Sequence, residues 1–197
     1  SNSPFRIVLT GGPGGGKTTA ADLFRREIGE RVVIVPEAAT MLFSGGFPRV
    51  EDPAPVRSTQ TAIYHLQRNL EDVQAARFPH RTLLCDRGTL DGAAYWPGSF
   101  DDFFAAVGSS RDAELARYDA VIFFESAAKG GITIEGGNPI RTEDEAEAAA
   151  LDDRLQELWS AHPRFQFVPH NPSFVRKILF GLAHLESLVS NAENGRP

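Results

Sequence analysis

Eight residues constrain this chain most: Gly11-Gly12-Pro13-Gly14-Gly15-Gly16-Lys17-Thr18, standing between a short apolar run and a stretch with helical apolar spacing. They satisfy G-x-x-x-x-G-K-[ST], a pattern whose meaning depends on a strand before it and a helix after it. Both flanks are present. In that setting the backbone turns tightly and aims successive N–H groups into one concavity, which side chains would block and glycines allow. The N-terminus of the following helix adds its dipole, so the concavity suits a phosphate. Lys17 supplies a compact charge to the outer phosphates, and the Thr18 hydroxyl can ligate Mg²⁺. Only three of the 20 basic residues are lysines, Lys17, Lys129 and Lys177, so a lysine at this position is hard to ascribe to composition.

The rest of the chain repeats the strand-then-helix pattern. Apolar runs at Ile7 to Leu9, Val32 to Val35, Thr82 to Cys85, Val121 to Phe124 and Phe165 to Val168 read as five buried strands. Helices are expected from Lys17 to about Gly29, Pro55 to Arg77, Phe100 to Val107, Glu143 to Ala161 and Phe174 to Leu188. Such alternation implies parallel crossovers and an α/β sheet covered on both faces. At 197 residues, with no repeat and no interdomain linker, one domain is expected over 1–197. Two segments rich in Gly break the pattern, Ser44 to Pro55 and Ser126 to Ile140, and read as loops: either lids or solvated excursions. Thr142 with Glu145 forms a capping box, so a helix starts directly after Arg141. Its acids Glu143, Asp144, Glu145 and Glu147 favour the positive end of the dipole and read as structural, while Leu151, Leu155, Leu158 and Trp159 share a core-facing side.

Composition excludes several classes. A formal charge of −6 leaves no basic surplus for a nucleic-acid footprint or an anionic membrane. No apolar run approaches the roughly 18 residues of a membrane span. The single Cys85 cannot form an internal disulfide, and no secretory signal is visible, so cytoplasm is the expected compartment. The five histidines show no metal-ligand spacing, which argues against a zinc site.

Three charged residues at strand ends are the candidate partners of the phosphate loop. Asp86 closes a buried run, where open α/β sheets bind ligands. It reads either as a Mg²⁺ ligand or as the cap of the next turn. Arg87 follows, as a bidentate phosphate contact or a surface ion pair. Glu37 ends the second strand, as a base for an acceptor hydroxyl or as a carboxylate at a helix N-terminus. Tyr95 and Trp96 stack on an acceptor ring or pack locally; Asn171 reads as a turn former before Pro172, and Lys177 as a solvated lysine.

On Gly11 to Thr19, Pro36-Glu37-Ala38, Asp86-Arg87-Gly88, Leu90-Asp91-Gly92, Tyr95, Asn138, Arg141-Thr142-Glu143, Ser173-Phe174 and Lys177, the chain resembles a P-loop NTPase of the nucleotide-kinase-like branch. In particular it resembles the predicted-ATPase AAA-domain family related to ribosylnicotinamide and deoxynucleoside kinases. The resemblance implies a three-layer sandwich around a mostly parallel five-stranded sheet in the order 2-3-1-4-5. It implies ATP and Mg²⁺ as ligands, held by Gly12, Pro13, Gly14, Gly15, Gly16, Lys17, Thr18 and Thr19, with Thr18 and Asp86 at the metal. It also implies Glu37 as base, an Asp86-Arg87 pair closing the third strand, and a lid over 126–141 whose arginine would be Arg141; a solvated residue before a helix is the other reading of Arg141. The guanine signature N-K-x-D and a D-x-x-G after Asp86 are missing, which favours ATP over GTP. Asp86-Arg87-Gly88 also lacks the aromatic residue usual in thymidylate kinases. The expected activity is transfer of the γ-phosphoryl group to an unidentified small acceptor or to water. The alternative is a switch in which bound triphosphate orders the segment from Ser126 to Ile140.

Overall fold

The computed structural model describes residues 3–130 and 143–195. Five strands form one parallel sheet: β1 (Arg6–Thr10), β2 (Val32–Val35), β3 (Thr82–Asp86), β4 (Ala120–Phe124) and β5 (Phe165–Val168). Their order is β2-β3-β1-β4-β5, as the resemblance implies. Eight α-helices are described: α1 (Lys17–Ile28), α2 (Ala38–Ser44), α3 (Pro53–Arg77), α4 (Asp91–Tyr95), α5 (Phe100–Ala106), α6 (Arg111–Leu115), α7 (Glu143–Trp159) and α8 (Phe174–Asn194).

Because side chains alternate across a strand and helices cover both faces, the middle residues of the central strands are apolar on both sides. Ile7, Leu9, Leu84 and Ile122 pack with Phe24 of α1 and Ile178 and Leu185 of α8. Val8, Leu83, Cys85 and Phe123 face the other way, toward Tyr64 of α3, Phe103 of α5 and Leu155 and Trp159 of α7. In register, Leu9 lies opposite Asp86 and Thr10 opposite Phe123. The C-terminal ends of β1, β3 and β4 therefore share one edge, with the glycine loop rising from the middle strand.

Some boundaries move. The predicted loop from Ser44 to Pro55 ends at Asp52, because α3 begins at Pro53 with proline in its first turn. Proline there sacrifices only an N–H that has no intrahelical partner, so Pro53 and Pro55 open a helix instead of prolonging a loop. The last helix runs to Asn194, past the expected Leu188. Helices α2, α4 and α6 were not expected; at five to seven residues each they are too short to display a helical period. Within Ser126 to Ile140, Ala127–Gly130 forms a 3₁₀ turn. Residues 131–142, with Asn138, Arg141 and Thr142, lie outside the described residues, although α7 does begin at Glu143. Among the described residues no helix is long and apolar enough to cross a membrane.

Candidate active site

The glycine loop has little freedom. Gly16 precedes α1 with φ of 79° and no side-chain cap, a left-handed conformation that leaves the first helical N–H groups available to an anion. A Cβ on Gly11 would sit 2.0 Å from the Phe124 carbonyl oxygen. The loop is also tied from behind. Asp152 Oδ1, on α7, accepts from the Gly12 N–H at 3.0 Å and from the Ser126 N–H at 2.8 Å. The Ser126 hydroxyl in turn donates to the Pro13 carbonyl. Asp152 is fully buried, and burial pushes its carboxyl pKa up, against the pull of the two amides.

Lys17 is buried at the first position of α1. Its pKa is lowered from 10.5 to about 8, first by burial and then by the charge of Arg87, while Glu37, Asp86 and Asp91 oppose the shift. The Thr18 hydroxyl donates to Asp86 Oδ2 at 3.0 Å. The other carboxylate oxygen, Oδ1, is buried without a hydrogen-bond partner. Burial and the neighbouring Glu37 push the Asp86 pKa up, against Lys17, Thr18 and Arg87. A buried carboxylate oxygen lacking a donor, beside a hydroxyl, is the donor set a hard cation satisfies. Among the described residues no group of three or more His, Cys, Asp or Glu converges to hold a metal. A cation at Thr18 and Asp86 would take its remaining oxygens from phosphate and water, the usual way Mg²⁺ is held.

Beside this cradle opens a cavity of about 940 Å³, lined among others by Glu37, Phe43, Arg87, Asp91, Tyr95 and Glu147. Glu37 occupies the N-cap position of α2 yet makes no side-chain cap bond, so its carboxylate stays with the cavity. Arg87 is the one non-glycine residue with positive φ, 69°, among the described residues. That conformation costs a side chain roughly 1 kcal/mol or more and persists only where the surroundings over-determine it. Here they do: the Arg87 N–H donates to the Leu9 carbonyl at 2.9 Å, and Gln67 donates to the Arg87 carbonyl at 3.2 Å. The guanidinium donates to Asp91 at 2.9 Å, lies 3.9 Å from Glu37 and faces the Tyr95 ring at 5.8 Å. Burial works against its charge, but Tyr95, Asp91 and Glu37 hold its pKa above the ordinary arginine value. Asp91 itself is braced by the Thr10 hydroxyl at 3.0 Å and the Trp159 indole N–H at 2.6 Å.

The structure thus brings Lys17, Thr18 and Asp86 together at the loop and Glu37 and Arg87 together at the cavity. Gly12, Pro13, Gly14, Gly15 and Gly16 form the loop, and Thr19 lies exposed on the first turn of α1. Arg87 is no surface pair, since its side chain is only 13% exposed. Tyr95 lines the cavity, whereas Trp96 is buried against Phe103 at 5.5 Å. Asn171 forms the expected turn, accepting from the Ser173 N–H at 2.8 Å. Lys177 corrects the expectation of a solvated lysine. It is buried, its ammonium donates to the Glu125 carbonyl behind the loop, and burial lowers its pKa. Its stem follows the buried side of α8 beside Ile178, where solvent is out of reach.

Asp91 and Asp152 were not among the candidate site residues. For Asp152 a signal exists: it stands at i, i+3 and i+7 with Leu155 and Trp159, a carboxylate on a core-facing stripe. For Asp91 the signal is a carboxylate four residues after Arg87, within reach only because a helix begins there.

Comparison with known proteins agrees with this architecture. Among curated proteins, none matches the chain in sequence. A thymidylate kinase from Ehrlichia chaffeensis, solved as a crystal structure, superposes with a TM-score of 0.60 at 15% identity, over 95% of this chain and 99% of that one. At that identity the likeness concerns the fold. Residues 6–174 match the family model described as AAA domain, and the chain belongs to that family of P-loop proteins.

Proposed function

We propose that the protein is a phosphotransferase that takes Mg²⁺-bound ATP at the glycine loop and moves its γ-phosphoryl group onto a small acceptor in the Glu37 cavity. One observation carries the reading: a chamber of about 940 Å³, lined by a carboxylate that caps no helix and by the locked arginine it pairs with, lies beside the phosphate cradle. A nucleotide switch needs no such acceptor chamber. The two halves are close enough that Glu37, Arg87 and Asp91 all act on the charge state of Lys17.

In this reading the amides of Gly14 to Thr19 and the Lys17 ammonium hold the phosphates, offsetting charge that grows on the transferring oxygens. Thr18 and Asp86 would hold Mg²⁺, which neutralises phosphate charge when bound. Glu37 takes the proton of the acceptor O–H as that oxygen bonds to the γ-phosphorus. The bond to the β–γ bridging oxygen breaks, and ADP leaves with the electron pair. Arg87, fixed by Asp91, presents its remaining N–H donors toward the incoming group. Arg141 is assigned by resemblance as the arginine of a lid. The whole is read as one domain, and with Cys85 a free, buried thiol, as a cytoplasmic one.

The test is acceptor-stimulated ADP formation by wild type and by Glu37→Gln. Loss of a general base predicts a fall of about 10²–10⁴-fold with ATP binding retained. Equal stimulated turnover in the variant would remove Glu37 from the chemistry.

A further inference from the structure

We propose that Gln67 is a positioning residue of this site, holding Arg87 in the pose that brings its guanidinium into the cavity. What Arg87 does there rests on the phosphotransferase reading; what Gln67 does rests on the buried side of the Arg87 turn. Gln67 and Glu71 stand one turn apart on α3, so their side chains share a face. The Gln67 amide commits both of its N–H groups, one to Glu71 at 3.0 Å and one to the Arg87 carbonyl at 3.2 Å. Glu71, fully buried, is fixed in turn by Arg6 at 3.3 Å, Arg117 at 3.0 Å and the Tyr118 hydroxyl at 2.7 Å. The same turn is gripped again at Thr89. Its N–H donates to the Tyr118 oxygen at 2.9 Å, and its hydroxyl donates to the buried Glu114 at 2.7 Å.

Fold stability alone does not call for such a cluster, because buried ion pairs are often replaceable by apolar side chains of similar volume without loss. An apolar set cannot hold a carbonyl and an N–H of a turn at fixed points. That matters at Arg87, whose φ of 69° is disfavoured for a residue with a Cβ by roughly five- to thirtyfold in population. One net hydrogen bond shifts a population by roughly two- to tenfold. The bonds that Arg87 makes with Gln67 and Leu9 are therefore together of the size needed to hold the conformation. A backbone released to negative φ would swing the guanidinium away from Asp91, Glu37 and Tyr95, the groups that now orient it.

The experiment compares wild type, Gln67→Met and Tyr118→Phe, each alone and combined with Arg87→Met, and each checked by thermal melting to be folded. Methionine keeps the volume of glutamine and removes both donors. Phenylalanine removes the acceptor of the Thr89 N–H and one donor to Glu71. The first readout is the Arg87 Nε–H signal in ¹⁵N-arginine-labelled protein, assigned by its loss in Arg87→Met. The second is label transfer from [γ-³²P]ATP with Mg²⁺ and a small-molecule extract. In Gln67→Met the Arg87 signal should move or broaden, and kcat should fall about tenfold or more with KM for ATP unchanged within about twofold. In the Arg87→Met background that fall should vanish, because Gln67 acts through Arg87. Tyr118→Phe should act in the same way more weakly, and it carries the test if Gln67→Met does not fold. An unmoved Arg87 signal, or an equal fall with and without Arg87, overturns the inference. Absence of label transfer in wild type overturns the phosphotransferase reading, and the arginine signal then decides by itself whether Gln67 places Arg87.

Discussion

Lys17→Met should make the protein without nucleotide more stable while abolishing its hold on ATP. The Lys17 pKa falls from 10.5 to about 8 on folding, chiefly through burial. Each unit is worth ~1.4 kcal/mol, so the buried ammonium costs the fold about 3 kcal/mol near pH 7. Below the folded value both states carry the proton and the cost is complete. Between about 8 and 10.5 the unfolded chain binds more protons than the folded one, so wild-type stability rises with pH through that window. Methionine fills similar volume without charge and escapes the penalty. In urea titrations without nucleotide, the variant should exceed wild type by about 3 kcal/mol at pH 7, narrowing to about 2 kcal/mol at pH 9. For a chain of this size the gap at pH 7 corresponds to a melting difference of about 6–12 °C. With Mg·ATP the order should reverse, because only wild type gains stability from the ligand. A variant less stable than wild type, or a gap that does not change with pH, would refute the reasoning that Lys17 is held charged at a cost repaid by phosphate.

Three further outcomes can be checked directly. Asp86→Asn should raise the Mg²⁺ concentration needed for half-maximal ATP turnover by at least tenfold, as read from a Mg²⁺ titration. Burial raises the Asp86 pKa on folding, so above pH 3.8 wild-type stability falls with rising pH, and the amide should remove that slope in melts from pH 4 to 7. Asp152→Ala strands the Gly12 and Ser126 amides and should cost about 2–3 kcal/mol in chemical denaturation, with a higher KM for ATP. Asp152→Asn keeps an acceptor oxygen and should recover most of both. Gly88→Ala would place a Cβ 2.5 Å from the fully buried Trp159 ring, and should destabilise by about 1–3 kcal/mol in the same assay.

The sheet and the loop were legible in the sequence because their signals are local. Five continuous apolar runs can only be strands covered on both faces, and Gly11 to Thr18 carries its own geometry. The 2-3-1-4-5 order came from resemblance, since no spacing rule decides which neighbour each parallel strand takes. The position of Asp86 beside Thr18 followed from its place at the end of β3. What stayed hidden depends on contacts between distant segments. Asp152 reaches Gly12 across 140 positions, and Lys177 reaches the Glu125 carbonyl across 52. Arg87 carries positive φ that only the bonds to Leu9 and Gln67 can enforce. The Glu37 cavity is assembled from α2, α3, α4 and α7, two of which are too short to leave a period in the sequence.

The most direct measurement follows the label from [γ-³²P]ATP when the protein, Mg²⁺ and a small-molecule extract are incubated together and the products are separated. A phosphotransferase built on Lys17, Asp86 and Glu37 places the label in an organic phosphate ester, and Glu37→Gln suppresses that product while the protein still binds ATP. Label appearing only in inorganic phosphate, at equal rates in wild type and Glu37→Gln, would contradict it.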